Sequence, residues 1–336
     1  MRRHKPATMK DVAEKANVSV ATVSRVINNE TSVSSQHRKA VEYAIEDLHY
    51  ELKTTNAQKM GLICRIGLVL PDITNPYFPL LIKGITNISK IYGAEIVLCN
   101  SNMDIDIEKY HFEKLLDTGV DGVIYIPFDE SVNPTVRKLI KDKFPVVFLD
   151  REFDIEDTCS VTSNNKEGAY QATSYLLNLG HRNILFISGP RHFSTSITRH
   201  AGYMQGLDEF SIDYREDLVI YGDTSQESAY EETIKYIGEN KRSFTAIFAS
   251  NDLMAYGAWK ALEENNYSIP EDVSIVGYDD IPFSSFISLT TIAQPSYEIG
   301  RNATLLLCDL VNKRREPPQR IVLRDSLIIR KSSRKI

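Results

Sequence analysis

Residues 9–34 read MKDVAEKANVSVATVSRVINNETSVS, and this stretch decides the fold of the amino-terminal part. Thr8 stands before it as a helix cap, with Asp11 three residues on, where a capping box usually carries Glu or Gln. Val12, Ala13 and Ala16 share one face of the helix that follows. Asn17-Val18 makes a turn. Ser19 caps a second helix carrying Val20, Val23, Val26 and Ile27, which Asn28-Asn29 ends. Ser34 caps a third helix with Ala40, Val41, Ala44, Ile45 and Leu48 on one side. Three short helices are therefore expected over residues 1–49, followed by a polar, unpatterned linker over 50–65.

The charge is unevenly spread. Net charge is −6, yet residues 1–60 hold ten Lys/Arg against seven Asp/Glu, which makes them +3 and the remainder −9. A small basic head on a large acidic body suits an anion-binding head. The chain has 336 residues, enough for two or three domains, and its 42% hydrophobic and 25% charged composition is ordinary for a globular protein. No run approaches the ~18 apolar residues of a membrane span, and the basic start lacks the apolar run of a signal peptide. The four cysteines lie far apart without a CxxC pair, which argues against a disulfide framework or zinc site and fits a reducing cytoplasm.

From residue 66 the rhythm changes. Short β-rich runs at 66–70, 95–99, 122–126, 146–149, 183–188, 246–249 and 273–276 alternate with amphipathic segments such as 79–92, 166–179 and 253–264. This is the pattern of an α/β fold, parallel sheets covered by helices on both faces. Nearly 270 residues is long for one such sheet, so two lobes are expected, divided near residue 162. The basic tail 330–335 reads as a frayed, solvated end.

Several strands lead into polar residues: Asn75, Tyr77 and Phe78 after the first, then Asp150-Arg151, Ser194 to Arg199, Asn251-Asp252 and Asp279-Asp280. In parallel α/β sheets ligands bind beyond the carboxyl ends of strands. Aromatics for a ring face, carboxylates and amides for hydroxyls, and arginines for bidentate contacts make a sugar-like recognition set. Ser194–Ser196 near a helix start also suits a phosphate. Each residue has a plainer role open to it: Asp150-Arg151 as a structural ion pair, Asp252 or Asp280 as helix caps. No phosphate-binding loop, nucleophile elbow, HExxH or strand-linked GxGxxG occurs. His181, His192 and His200 read as surface or turn histidines. Asp104, Asp106 and Glu108 lack the glycine of a calcium loop. No cofactor, metal or catalytic group is expected, although Asp150 and Asp279 would be the pair to test in a sugar-processing enzyme.

The head, together with LPDITNPYF (70–78), LNLGHRNILFISGP (177–190), TAIFASNDLMAYGA (245–258), IPEDVSIVGYDDIPFS (269–284) and TTIAQPSYEIG (290–300), resembles the LacI/GalR family of bacterial transcription regulators over almost the whole chain. The resemblance implies a helix-turn-helix head (1–49), a hinge (50–65) and a periplasmic-binding-protein-like core of two doubly wound lobes. These would be 66–161 with 292–320, and 162–291 with 321–332, the chain crossing near 162, 291 and 321. It implies a homodimeric, cytoplasmic repressor whose partners are double-stranded operator DNA and a small effector. A free pentose such as ribose is favoured; a sugar phosphate or a purine is the alternative.

The resemblance also distributes roles. Ser19 and Thr22 would donate to phosphates, Val20 and Ala21 touch thymine methyls, and Arg25 grip a guanine. Thr8, Ser24, Asn28 and Ser34 are carried over as backbone contacts or caps. The family's hinge has a leucine that wedges into the minor groove; Thr55 stands there, and a threonine lacks the apolar reach that unstacking uses. Asn75, Tyr77, Phe78, Asp150, Arg151, Arg199, Asn251, Asp279 and Gln294 fall where ribose-binding relatives hold their ligand.

Overall fold

The computed structural model describes residues 7–27, 33–48, 65–127, 133–151, 156–239 and 243–336. Two compact units result, residues 1–61 and 62–336.

The first unit contains α1 (Met9–Lys15), α2 (Val20–Ile27) and α3 (Ser35–Asp47). Asp11 completes the capping box in spite of its shorter side chain: Thr8 Oγ1 accepts from Asp11 N, and Asp11 accepts from Thr8 N at 2.7 Å. Ser19 Oγ accepts from Thr22 N at 3.0 Å, and Ser34 Oγ from His37 N at 3.3 Å, so all three starts are capped by hydroxyls. Val12, Ala13, Ala16, Val23, Val26, Val41 and Ala44 close into one small core.

In the second unit the chain builds two sheets of six strands. The first lobe contains β1 (Arg65–Leu70), α4 (Phe78–Tyr92), β2 (Glu95–Asn100), α5 (Ile105–Asp117), β3 (Gly122–Tyr125), α6 (Pro134–Lys141), β4 (Val146–Leu149) and β5 (Cys159–Ser163). The second lobe contains α7 (Asn165–Asn178), β6 (Ile184–Ser188), α8 (Ser194–Glu209), β7 (Val219–Tyr221), α9 (Gln226–Glu239), β8 (Ala246–Ala249), α10 (Asp252–Glu264), β9 (Ser274–Asp279), α11 (Pro282–Phe286) and β10 (Thr290–Ala293). The chain then returns for α12 (Ser296–Val311) and β11 (Gln319–Leu323) in the first lobe, and ends in β12 (Ser326–Ile328) on the second sheet.

Strand order is β2-β1-β3-β4-β5-β11 in one sheet and β7-β6-β8-β9-β10-β12 in the other, so both lobes wind the same way. All pairings are parallel except β10 with β12. Each sheet buries an apolar layer on both faces, Leu68, Ile124 and Leu307 against Val69, Phe112 and Phe148 in the first lobe. Order reverses beside β1 and β6, which puts the ligand crevice of a doubly wound sheet beyond those strand ends.

Three details differ from expectation. Strands β5, β10 and β11 stay in their ladders as far as Ser163, Ala293 and Leu323, one, two and two residues beyond 162, 291 and 321. The basic tail is docked rather than frayed: Ser332 is 1% exposed, its Oγ donating to Ile275 O, and Ile336 N donates to Leu179 O at 2.9 Å. Backbone groups of β9 and of the α7 end, left open at the sheet margin, receive it. His181 is buried rather than superficial because Thr245 Oγ1 and the tail carbonyl of Arg334 take its two ring nitrogens.

Candidate functional sites

The crevice is built from strand ends. Asp150 and Asp279, at the ends of β4 and β9, hold left-handed backbone at φ 67° and 112°, a conformation that concentrates at functional sites. Tyr77 Oη, from the start of α4, donates to Asp150 Oδ1 at 2.8 Å. Gln294, on the second crossing, has its amide orientation fixed by its neighbours. Its Oε1 accepts from Ser163 Oγ at 2.7 Å and lies 3.3 Å from Tyr77 Oη, while its Nε2 donates to Asp279 Oδ1 at 2.7 Å. Arg199, from α8, faces the same Asp279 Oδ1 at 3.7 Å.

Arg199 is held on every side. Its Nε donates to Asn165 Oδ1 at 2.8 Å, its Nη1 donates to Ser250 O, and its plane lies 3.8 Å over the Tyr278 ring. Burial works against its charge, but the Asp279, Asp150 and Asp325 carboxylates together raise its pKa further. Burial pushes Asp279 well above the usual carboxylate range, with Asp252 and Asp150 adding to it and Arg199 and Gln294 opposing. Burial, and then Asp150, likewise raise the Tyr77 phenol.

Tyr77, Asp150, Gln294, Asp279 and Arg199 thus form one hydrogen-bonded and charge-paired chain drawn from both lobes. Beside it opens a cleft of about 260 Å³, lined by Asp150, Ser163, Asn164, Asn165, Lys166, Ser194, Thr195, Thr198 and Val322. Hydroxyls and amides dominate this lining, with one carboxylate and one ammonium, a set able to exchange hydrogen bonds with a polyol.

Other expected ligand residues sit differently. Phe78 is 6% exposed among the first-lobe core and meets Tyr77 edge to face at 5.4 Å. Asn75 Oδ1 accepts from Tyr77 N, shaping the turn. Asn251 caps α10 and donates to Thr224 O at 2.8 Å. Arg151 stacks 3.9 Å over Phe193. Asp280 pairs with Arg330 at 2.7 Å, and Asp252, instead of capping, accepts from Ile281 N, Ser284 Oγ and Thr291 Oγ1 inside the second lobe. Sequence reasoning missed Ser163, Asn165, Tyr278 and Asp325. Among the described residues no group of His, Cys, Asp or Glu is placed to hold a metal ion, and no helix is long and apolar enough to cross a membrane.

In the head, α2 turns Val23 and Val26 inward and leaves Ser19, Val20, Ala21 and Arg25 exposed. Thr22 Oγ1 and Ser19 Oγ lie 2.9 Å apart at its start. A helix entered by small and hydroxylated residues, with an arginine one turn on, is shaped for a major groove. Ser24 is half-buried, while Thr8 and Ser34 serve as caps. Asn28 and Thr55 lie outside the described residues.

Two doubly wound lobes over a polar cleft, and a separate helix-turn-helix unit, define a ligand-responsive DNA-binding regulator. Residues 64–331 match the periplasmic binding proteins and sugar binding domain of the LacI family, and residues 8–51 match the bacterial regulatory proteins of the lacI family. The chain belongs to the LacI family of transcription regulators. It is 34% identical over 332 residues to the HTH-type transcriptional repressor PurR of Pectobacterium carotovorum subsp. carotovorum, covering 97% of this chain and 96% of the relative. It is also 34% identical over 337 residues to the ribose operon repressor of Halalkalibacterium halodurans, covering 97% of each. The structure of the lac repressor dimer bound to operator and the anti-inducer ONPF superposes with a TM-score of 0.72 at 28% identity, covering 98% of this chain and all of that one.

Proposed function

We propose that this regulator is a homodimeric repressor working in the cytoplasm, without catalysis, whose operator affinity is set by a sugar held between its lobes. The observation that carries the reading is the chain from Tyr77 through Asp150, Gln294 and Asp279 to Arg199, which joins the lobes beside a cleft lined by hydroxyls and amides. Two carboxylates and an amide suit the vicinal hydroxyls of a pentose, and the residues lining the cleft include no aromatic ring to stack on the flat face of a purine. Closure on the sugar favours one arrangement of the lobes; a coupling of ~1–3 kcal/mol changes operator affinity 5–150-fold. A dimer is needed because one helix-turn-helix reads only a half-site, and the lac repressor relative is a dimer on its operator.

The test is a thermal-shift screen of the protein against free sugars, sugar phosphates and purines, followed by calorimetry and operator titration with whatever binds. Arg199→Ala and Asp279→Ala should lose effector affinity ~10- to 150-fold, from one or two charge-assisted hydrogen bonds, and keep effector-free operator binding. A purine or a sugar phosphate as the best stabiliser, with no free sugar bound, would replace the sugar in this reading. Turnover of a bound sugar would remove it.

A further inference from the structure

A buried polar side chain stands at each of the three crossings: Ser163 where β5 ends, Gln294 on the second and Asp325 on the third. Gln294 belongs to the hydrogen-bonded chain beside the cleft, and Ser163 donates to it. Asp325 touches it through one intermediate. Its Oδ2 accepts from Tyr278 Oη, and the Arg199 guanidinium lies 3.8 Å over the ring of the same Tyr278. Asp325 is 7% exposed, and its Oδ1 is buried without a hydrogen-bond partner. The pair fits closely under α7: a Cβ on Gly168 would come within 2.3 Å of Tyr278 Oη and 2.9 Å of Asp325 Oδ2. An apolar residue on the crossing would fill this space without placing a carboxylate there.

We infer that Asp325 is a positioning residue for Arg199, acting through Tyr278, and that proton uptake by Asp325 loosens the arginine's grip on the effector. This rests on the proposed role of Arg199 in the cleft. The Asp325–Tyr278 bond fixes the ring that supports the guanidinium, so the third crossing and the effector arginine move as one assembly. The groups facing Asp325 are the Tyr278 phenol on β9, Arg199 on α8, Ser163 at the end of β5 and Asp150 after β4. Burial lifts Asp325 to about 6; the Tyr278 bond, Arg199 and Ser163 oppose the rise, and Asp150 adds to it. A carboxylate that is ionised at pH 7.5 and protonated at pH 5 loses most of its pull on the Tyr278 hydroxyl and all of its attraction for Arg199.

The experiment follows the Arg199 Nε–H resonance in full-length protein labelled on arginine nitrogen, without ligand, between pH 5 and 8, the signal being assigned with Arg199→Lys. The expected result is a step near pH 6 that disappears in Asp325→Asn and persists in Asp252→Asn, with Tyr278→Phe displacing the resonance while keeping the ring. In parallel, calorimetry with D-ribose should show affinity falling severalfold from pH 7.5 to 5 in the wild type and by less in Asp325→Asn. Failure of the wild type to bind D-ribose would count against ribose as effector and leave the resonance to decide the role of Asp325. An Arg199 signal indifferent to both Asp325→Asn and Tyr278→Phe would overturn the inference.

Discussion

Gln294 donates to Asp279 across 2.7 Å, and so joins the second crossing to the end of β9. The same amide accepts from Ser163 at the end of β5, where the first crossing begins. Gln294→Leu keeps the volume and removes both bonds, leaving a buried carboxylate and a buried hydroxyl short of partners. Lost bonds to a charged group run to roughly 1.5–3 kcal/mol. Effector affinity should drop ~10- to 150-fold while effector-free operator binding is retained, because the head is a compact unit of its own. Calorimetry beside an operator titration of the same preparation reads both quantities.

Asp252 gives a pH signature. Burial raises its pKa to about 6, against the opposing bonds from Ser284, Thr291 and Ile281 N. The folded protein therefore holds this proton more tightly than the unfolded chain, whose Asp titrates near ~3.9. Its contribution to stability is fully present below about pH 4 and is lost as pH rises through 6. Between pH 5 and 7 that loss is on the order of 1 kcal/mol. Asp252→Asn should shrink the change in unfolding free energy between those pH values by about that amount, measured by denaturant titration.

In the head, Arg25 is exposed on α2 beyond Ala21. Arg25→Ala should cost ~1–3 kcal/mol on the operator and relax one base-pair position, whereas Thr22→Ala should weaken operator and random DNA more evenly. Affinity should fall steeply with salt through counterion release. Mobility-shift titrations on operator variants decide it; full affinity in Arg25→Ala would remove the residue from the interface.

The first lobe depends on two glycines where α4 crosses α12. A Cβ on Gly84 would lie 2.1 Å from Tyr297 O, and one on Gly300 would lie 2.1 Å from Leu81 O. Both obstacles are backbone, so a larger residue has nothing flexible to push aside. Gly84→Val should destabilise the core unit by ~3 kcal/mol or more, at or beyond the usual range for overpacking. The head should be spared, which two separate unfolding transitions in calorimetry would reveal.

Much of this molecule is legible in the sequence because burial on both faces writes strands as unbroken apolar runs, as in β1, β4 and β8. Strand β5 escapes that rule: Cys-Ser-Val-Thr-Ser is mostly polar, yet wholly buried, since β4 and β11 flank it and Ser163 Oγ donates to Gln294. Strand β11 alternates half-buried and exposed residues at a sheet edge, and β12 has three residues, too few to carry a pattern. Tyr77, Asp150, Arg199, Asp279 and Gln294 could be singled out because strand ends and family motifs mark them. Ser163 and Asp325 could not, because their partners Gln294 and Tyr278 stand 131 and 47 residues away, and only the doubled-back chain brings them together.

The interleaving of the lobes also orders events during synthesis. Among the described residues the head core lies within residues 12–48, so the head can fold as soon as it emerges from the ribosome. The first sheet lacks its outer strand until residues 319–323 are made, and the second lacks β12 and the docked tail until later still. At roughly 5–20 residues per second, that interval lasts tens of seconds. Every nascent copy therefore displays a DNA-touching head well before it has a finished sensor to govern it.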